Sequence, residues 1–167
     1  MVRHDRLHDG DRSARITTLG DAGRFLDVPV GAAAEVYEPV TDADPDRPLG
    51  IEPEPAGVVG AWFTLGAGVL AAAVAAASAE DDPAEIQLWP EHFDLATSIG
   101  PEGHRANVGA SPGDADHDAP YVYVGPWEPR TGGIWNEPWG ASLGYEAIRG
   151  GTDPLDAIRN ALRALSD

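Results

Sequence analysis

The spacing of apolar and polar positions changes several times along this chain, and each change predicts a different element. Residues 1–14 are polar, with His4 and His8 among charges, and predict a mobile tail. A helix follows over 18–27. Thr18 can cap it, Asp21 stands at the third position, and Leu19, Ala22, Phe25 and Leu26 form its apolar stripe. Residues 33–38 predict a short strand. Residues 40–55 are rich in Pro, Asp and Glu and predict a surface loop.

Residues 56–79 carry no charge. A run of that length is long enough to cross a bilayer. Ala and Gly dominate it, however, and both flanks are acidic (Glu52 and Glu54; Glu80 to Asp82), whereas a spanning helix is expected to have Arg on one side. The pattern therefore predicts a buried helix with Val58/Val59, Trp62/Phe63, Leu65, Val69/Leu70 and Val74 on its apolar face.

From residue 85 the period becomes two. Strands are expected at 85–89, 92–99, 104–110, 120–125 and 142–148, separated by Pro, Gly and Asp. The chain closes with a helix capped by Asp153, with Pro154 first and Asp156 in the first turn. Leu155, Ile158, Leu162 and Leu165 line one face, and Arg159 and Arg163 lie toward its C-terminal end. The expected fold is a single α+β domain over 15–167. An antiparallel meander of four to five strands packs on the long central helix and the C-terminal helix.

Alternation along the strands sorts the candidate residues. Phe93, Leu95 and Ile99 share one face, and His92 and Asp94 share the other with Ala96 and Ser98. Val122 and Val124 share one face, and Tyr121 and Tyr123 the other. Placing the aliphatic faces against the helices leaves His92, Asp94, Tyr121 and Tyr123 together, with Trp127, Trp135 or Trp139 available to fold over them. The expected acid/base or ligating residues are His92, Asp94 and His117. The expected ligand-binding residues are Trp89, Asn107, Tyr121, Tyr123 and Trp127. Aromatic walls with a few polar groups suit a small-molecule pocket. Residues two apart on a strand are about 7 Å apart at Cα, so a His92–Asp94 contact depends on side-chain reach.

Composition narrows the chemistry. The 167 residues include 28 acidic and 11 basic side chains, every basic one Arg, for a net charge of −17. No cluster of Arg is available to neutralise phosphates, so nucleic acid and anionic membrane surfaces are disfavoured as partners. There is no Cys, which excludes disulfides, thiolate nucleophiles and Cys-ligated zinc. The polar N-terminus lacks the apolar segment of a secretory signal, and a cytoplasmic location is expected.

Three motifs fail on inspection. Gly109-Ala-Ser111-Pro-Gly113 fits G-x-S-x-G, but the residue after the nucleophile must donate its N–H to an oxyanion, and Pro112 has none. Asp114, Asp116 and Asp118 resemble the start of a calcium loop, but Ala119 and Gly125 stand where Gly and Glu are needed. His92, Asp94 and His117 have a two-His, one-carboxylate composition without HExxH or HxH spacing, so no metal ligand is assigned. No dinucleotide or phosphate-loop fingerprint is present, and no cofactor is specified.

Four segments carry a resemblance. They are LWPEHFDLA (88–96), NVGASPGD (107–114), PYVYVGPW (120–127) and WNEPWGASLGY (135–145). In order and spacing they resemble an uncharacterised bacterial protein family with the pattern LWPxHFD…NxGxSPGD…PYxY…W…GAxLPY and a final helix. The resemblance covers about residues 55–165, and Gly144 stands where that family often has Pro. Many of its members have a longer N-terminal β-rich part, which implies that a pocket wall is missing here or comes from a second subunit. The family brings no activity with it. The expectation is therefore a protein that binds a small molecule on the aromatic, His–Asp face, with enzymatic activity left open. The rival is a non-catalytic structural or oligomer-assembly module, and a weaker one is a metal-dependent hydrolase.

Overall fold

The computed structural model describes residues 2–31 and 43–166. The expected strand at 33–38 lies outside them. The chain divides into two compact units, Met1–Ala61 and Trp62–Asp167.

In the first unit, the polar segment expected to be a tail instead forms a three-stranded antiparallel sheet, β1 (Val2–Arg3), β2 (Arg6–Asp9) and β3 (Arg12–Arg15). Its register pairs Leu7 with Ala14 and His8 with Ser13. Polarity concealed these strands, because only Leu7 among them is buried. Helix α1 (Leu19–Leu26) starts where its cap predicts, with the Thr18 hydroxyl accepting from Asp21 N at 3.0 Å. It ends at Asp27 in the left-handed conformation. Backbone bonds from Gly20 N to Pro45 O and from Leu49 N to Thr17 O, both 2.8 Å, tie the Pro-rich segment to its start.

Helix α2 (Pro53–Ala76) begins in the first unit and continues into the second. It is long and apolar enough by length and composition to cross a membrane. Its buried residues are Trp62, Gly66, Leu70 and Ala73, a spacing of four, four and three that marks one helical face. Burial is narrower than the uncharged sequence implied. Val58 and Leu65, expected on the buried stripe, are 60% and 40% exposed.

The second unit holds a five-stranded antiparallel meander in sequential order: β4 (Gln87–Trp89), β5 (Asp94–Ile99), β6 (Ala106–Ser111), β7 (Tyr121–Pro126) and β8 (Ala141–Gly144). After β8 the chain turns into a short helix, α3 (Tyr145–Arg149), where strand had been expected to continue. Glu-Ala-Ile-Arg are good helix formers, and Gly150-Gly151 end the turn. Helix α4 (Pro154–Arg163) has the predicted cap, with Asp153 Oδ1 accepting from Leu155 N at 2.8 Å.

The core joins one face of this sheet to α2 and α4. Ile99, Ala106, Val108, Ala110, Val122 and Val124 meet Trp62, Leu70 and Ala73 of α2 and Ile158, Ala161 and Leu165 from the C-terminal segment. Burying a Leu such as Leu70 fully contributes about 1.5–3 kcal/mol. Gly66 sets the approach of helix to sheet, since a Cβ there would stand 2.6 Å from Ala110 Cβ. Core packing claims one sheet face, so the alternate residues must point the other way.

Candidate functional site

Register fixes what lies on the face away from the helices. Ala96, Gly109, Tyr123 and Ser142 are paired in one row across β5 to β8, and Ser98, Asn107 and Gly125 in another. Ser111, Tyr121 and Gly144 form a third row, and Asp94 shares their side of the sheet. The floor is made of small residues, and the two Tyr rise from it on β7.

Tyr123 leans back across β6. Its ring lies over Gly109, where an added Cβ would stand 2.4 Å from Tyr123 Cζ. The phenol thereby reaches β5 and donates a short hydrogen bond to Asp94 Oδ2. Asp94 is only 5% exposed, and its Oδ1 is buried without a hydrogen-bond partner. A buried acceptor of this kind is uncommon in folded proteins, because leaving it unpaired costs free energy. Burial, and then the bond to Asp94, push the Tyr123 hydroxyl well above its ordinary pKa.

Tyr121 makes the parallel contact with the loop after β6. Its hydroxyl donates to Asp114 Oδ2 at 2.5 Å. Asp114 Oδ1 accepts from the backbone N–H groups of Asp116 and His117, both at 2.9 Å, and Asp114 N donates to His117 O at 2.9 Å. This is the local turn that Asp favours, and it holds the acidic segment against the sheet. The Tyr121 bond, ahead of the backbone bonds, keeps the Asp114 carboxyl below the usual carboxylate range. Burial, followed by the Asp114 bond, raises the Tyr121 phenol.

His117 joins this loop to the one before β8. Its Nδ1 lies 3.4 Å from Asp114 Oδ1 and its Nε2 lies 3.1 Å from Glu137 Oε1. With a carboxylate at each nitrogen, the doubly protonated ring satisfies both contacts. The bond to Glu137 is the larger cause of the raised His117 pKa, with Asp114 adding to it. Glu137 also accepts from the Ser142 hydroxyl at 2.6 Å, and that bond, then His117, lowers its pKa. Glu137 and Gly140 pair through their backbones, a tight turn with Pro138 and Trp139 at its tip. Asn136 secures the turn by accepting from Ser142 N at 2.9 Å. Trp139 then packs beside Tyr123 (ring centroids 5.8 Å), Tyr121 (6.2 Å) and His117 (6.3 Å).

Of the residues expected from sequence, Asp94, His117, Tyr121 and Tyr123 come together. Three others, His92, Asn107 and Trp127, do not join them. His92 is exposed in the turn between β4 and β5 and, among the described residues, has no hydrogen-bond partner. Phe93 takes a left-handed conformation (φ 51°), so regular alternation begins only at Asp94 and the expected pairing of His92 with Asp94 is absent. Trp89 does stand beside the group, since it is the cross-strand partner of Asp94 on the edge strand β4 and shares its side of the sheet. Asn107 and Trp127 bond each other at 2.9 Å in the neighbourhood of Gly125 and Arg105, several residues along the sheet from Tyr121. Of the three Trp considered as a cover, Trp139 takes that place, while Trp135 packs against the core.

Asp114, Glu137 and Ser142 were missed as site residues. The Asp-x-x-His turn spacing was a usable signal for Asp114; Glu137 and Ser142 depend on a loop return that no local pattern encodes. Ser111 of the G-x-S-x-G match is buried, and its hydroxyl accepts from Gly113 N at 3.2 Å, closing a tight turn. Among the described residues, no three His, Asp or Glu side chains form a metal-ligand group. A separate cavity of about 440 Å³ lies between β7–β8 and α4, lined mainly by Val122, Val124, Leu143 and Ile158 with Asp153 and Asp156 at α4. No protein-family model, curated protein or solved structure matches the chain.

Proposed function

We propose that this protein binds a small molecule on the outer face of its five-stranded sheet, at the cluster of Asp94, Tyr121, Tyr123, His117 and Trp139. The observation that carries this reading is the unpartnered Oδ1 of Asp94. Folding alone gains nothing from a buried acceptor left empty, and such sites concentrate where a ligand or reaction uses them. A small-residue floor and three aromatic rings supply the apolar contact that ligand sites commonly combine with a few polar groups. The WPEHFD, SPGD and PYVY segments contribute Asp94, Asp114, Tyr121 and Tyr123, which supports treating them as one functional unit.

The test is a fragment titration followed by backbone NMR of the full chain. Binding should shift signals of Asp94, Tyr121, Tyr123 and the Trp139 indole, and Asp94→Asn should abolish those shifts while the spectrum stays folded. A fragment set that leaves these signals unmoved overturns the reading.

One observation favours the rival role in assembly. Trp127 is 62% exposed, and exposed aromatics of this kind are enriched in interface cores. Light scattering over a dilution series separates the two. A stable oligomer that Trp127→Ala dissociates supports assembly; a monomer at all concentrations rejects it.

A further inference from the structure

We infer that the ligand of this face is a cation, an organic ammonium or guanidinium group, bound between the aromatic rings and the Asp94 carboxylate. This rests on the small-molecule reading above and names the chemical class.

Most hydrogen-bonding groups of the cluster are already taken. Both Tyr hydroxyls are spent as donors, Tyr123 to Asp94 and Tyr121 to Asp114. The Ser142 hydroxyl is spent on Glu137. Both nitrogens of His117 face carboxylates. The cluster has no spare donor among these groups, and Asp94 Oδ1 is an acceptor with none. A ligand that completes the cluster must therefore donate a hydrogen bond.

Charge narrows the class further. Asp94, Asp114 and Glu137 bring three carboxylates into a network in which His117 is the one basic side chain. Cationic His117 leaves two negative charges over, and neutral His117 leaves three. An anionic ligand meets repulsion here, whereas a cation relieves it. Tyr121, Tyr123 and Trp139 present ring faces and edges within 6.2 Å of one another, centroid to centroid. Rings grouped like this attract ammonium and guanidinium groups, and Trp does so best. Charge-assisted bonds to carboxylates are also about twice as strong as neutral ones.

Asp94 Oδ1 is closed to solvent, so entry requires a side chain to move. Trp139 is suited to this. It is 41% exposed and stands at the tip of a two-residue turn, whereas Tyr121 and Tyr123 are pinned to carboxylates.

The experiment uses the full chain at neutral pH with n-butylammonium, n-butanol and butyrate as probes of nearly equal size. NMR shifts of Asp94, Tyr121, Tyr123 and the Trp139 indole are read against concentration. Butylammonium should bind at least about tenfold more tightly than butanol, with butyrate weakest. Asp94→Asn should weaken butylammonium about tenfold or more, while Asp82→Asn, an exposed charge that pairs with Arg105 outside the cluster, leaves it unchanged and controls for general attraction to an acidic protein. If Asp94→Asn does not fold, Asp114→Asn is read in its place. Equal binding of butylammonium and butanol at this face, or equal effects of Asp94→Asn and Asp82→Asn, overturns the cation assignment and leaves the small-molecule reading standing. No response to any probe or to the wider fragment set overturns both.

Discussion

Tyr123 and Asp94 lie on strands that are not neighbours, and they meet because Gly109, on the strand between them, has no side chain. The phenol crosses β6 directly above Gly109 and bonds Asp94 on β5. Glycine normally weakens a strand interior relative to other residues. Here its lack of a Cβ is what allows the ring to lie flat and the carboxyl to be reached.

Gly109→Ala should therefore destabilise, against the usual strand preference. The new Cβ would stand 2.4 Å from the Tyr123 ring, and backbone pairing on both sides of Gly109 keeps the strand from yielding. Overpacking of this kind costs about 1–3 kcal/mol. Urea denaturation should give a loss in that range. In a Tyr123→Ala background, with the ring removed, the same substitution should cost almost nothing. Equal penalties in both backgrounds would show that the ring is not what Gly109 accommodates.

His117 makes stability depend on pH in a defined direction. Its folded pKa is raised, chiefly by Glu137 and then Asp114, so its contribution is complete below about pH 6.5, the ordinary histidine value, and is lost as pH rises through the folded value. Asp114 and Glu137 have lowered pKa values, so their contribution is present above the ordinary carboxylate range and is lost as pH falls through the folded values. All three act together between about pH 5 and 6.5. The stability difference between the native chain and His117→Gln should be largest there and shrink by pH 9. Partly exposed ion pairs contribute about 0.2–1 kcal/mol each, which sets the scale of the difference. Comparing the two proteins isolates the contribution of His117. A gap that stays constant from pH 5 to 9 contradicts the arrangement.

The order of elements was legible from sequence because apolar period and cap chemistry are local. Thr18 and Asp153 mark helix starts, and the alternation of Val122 and Val124 with Tyr121 and Tyr123 assigns the faces of β7. Half of the site followed from this. The rest was hidden for specific reasons. A single left-handed residue, Phe93, breaks the alternation that had grouped His92 with Asp94. Glu137 reaches His117 through a loop return across 20 residues. The sheet at 2–15 carries almost no apolar signal, because Leu7 alone in its strands is buried and most of the other residues are charged or exposed.

The two β7 tyrosines should resist ionisation. Burial and a neighbouring carboxylate raise both phenols above the ordinary value of about 10. In the folded protein at about pH 11, ultraviolet absorbance should show no tyrosinate from Tyr121 or Tyr123. The double variant Tyr121→Phe/Tyr123→Phe should then give the same native alkaline titration as the unaltered chain. After unfolding in urea the two should differ by two tyrosines. A smaller native absorbance step in the double variant would mean that these hydroxyls are open to base.

Salt should stabilise the protein at low ionic strength. Acidic residues outnumber basic ones 28 to 11, so like-charge repulsion exceeds what pairing can offset. Two of the ion pairs, Arg24–Asp21 and Arg149–Glu146, join residues three apart with exposed side chains, and screening them removes little. The screening length falls from about 30 Å at 0.01 M salt to about 8 Å at 0.15 M, short enough to quench repulsion between distant carboxylates. Repulsion and pairing therefore respond to NaCl with opposite signs, and repulsion should win. Each 1 kcal/mol of relief raises Tm by about 2–4 °C in a chain of this size. Melting curves at 10 mM and 150 mM NaCl, in the same buffer near pH 7, should show an increase of that order. A flat or falling Tm would mean that the acidic side chains are too far apart, or too well paired, for their repulsion to burden the fold.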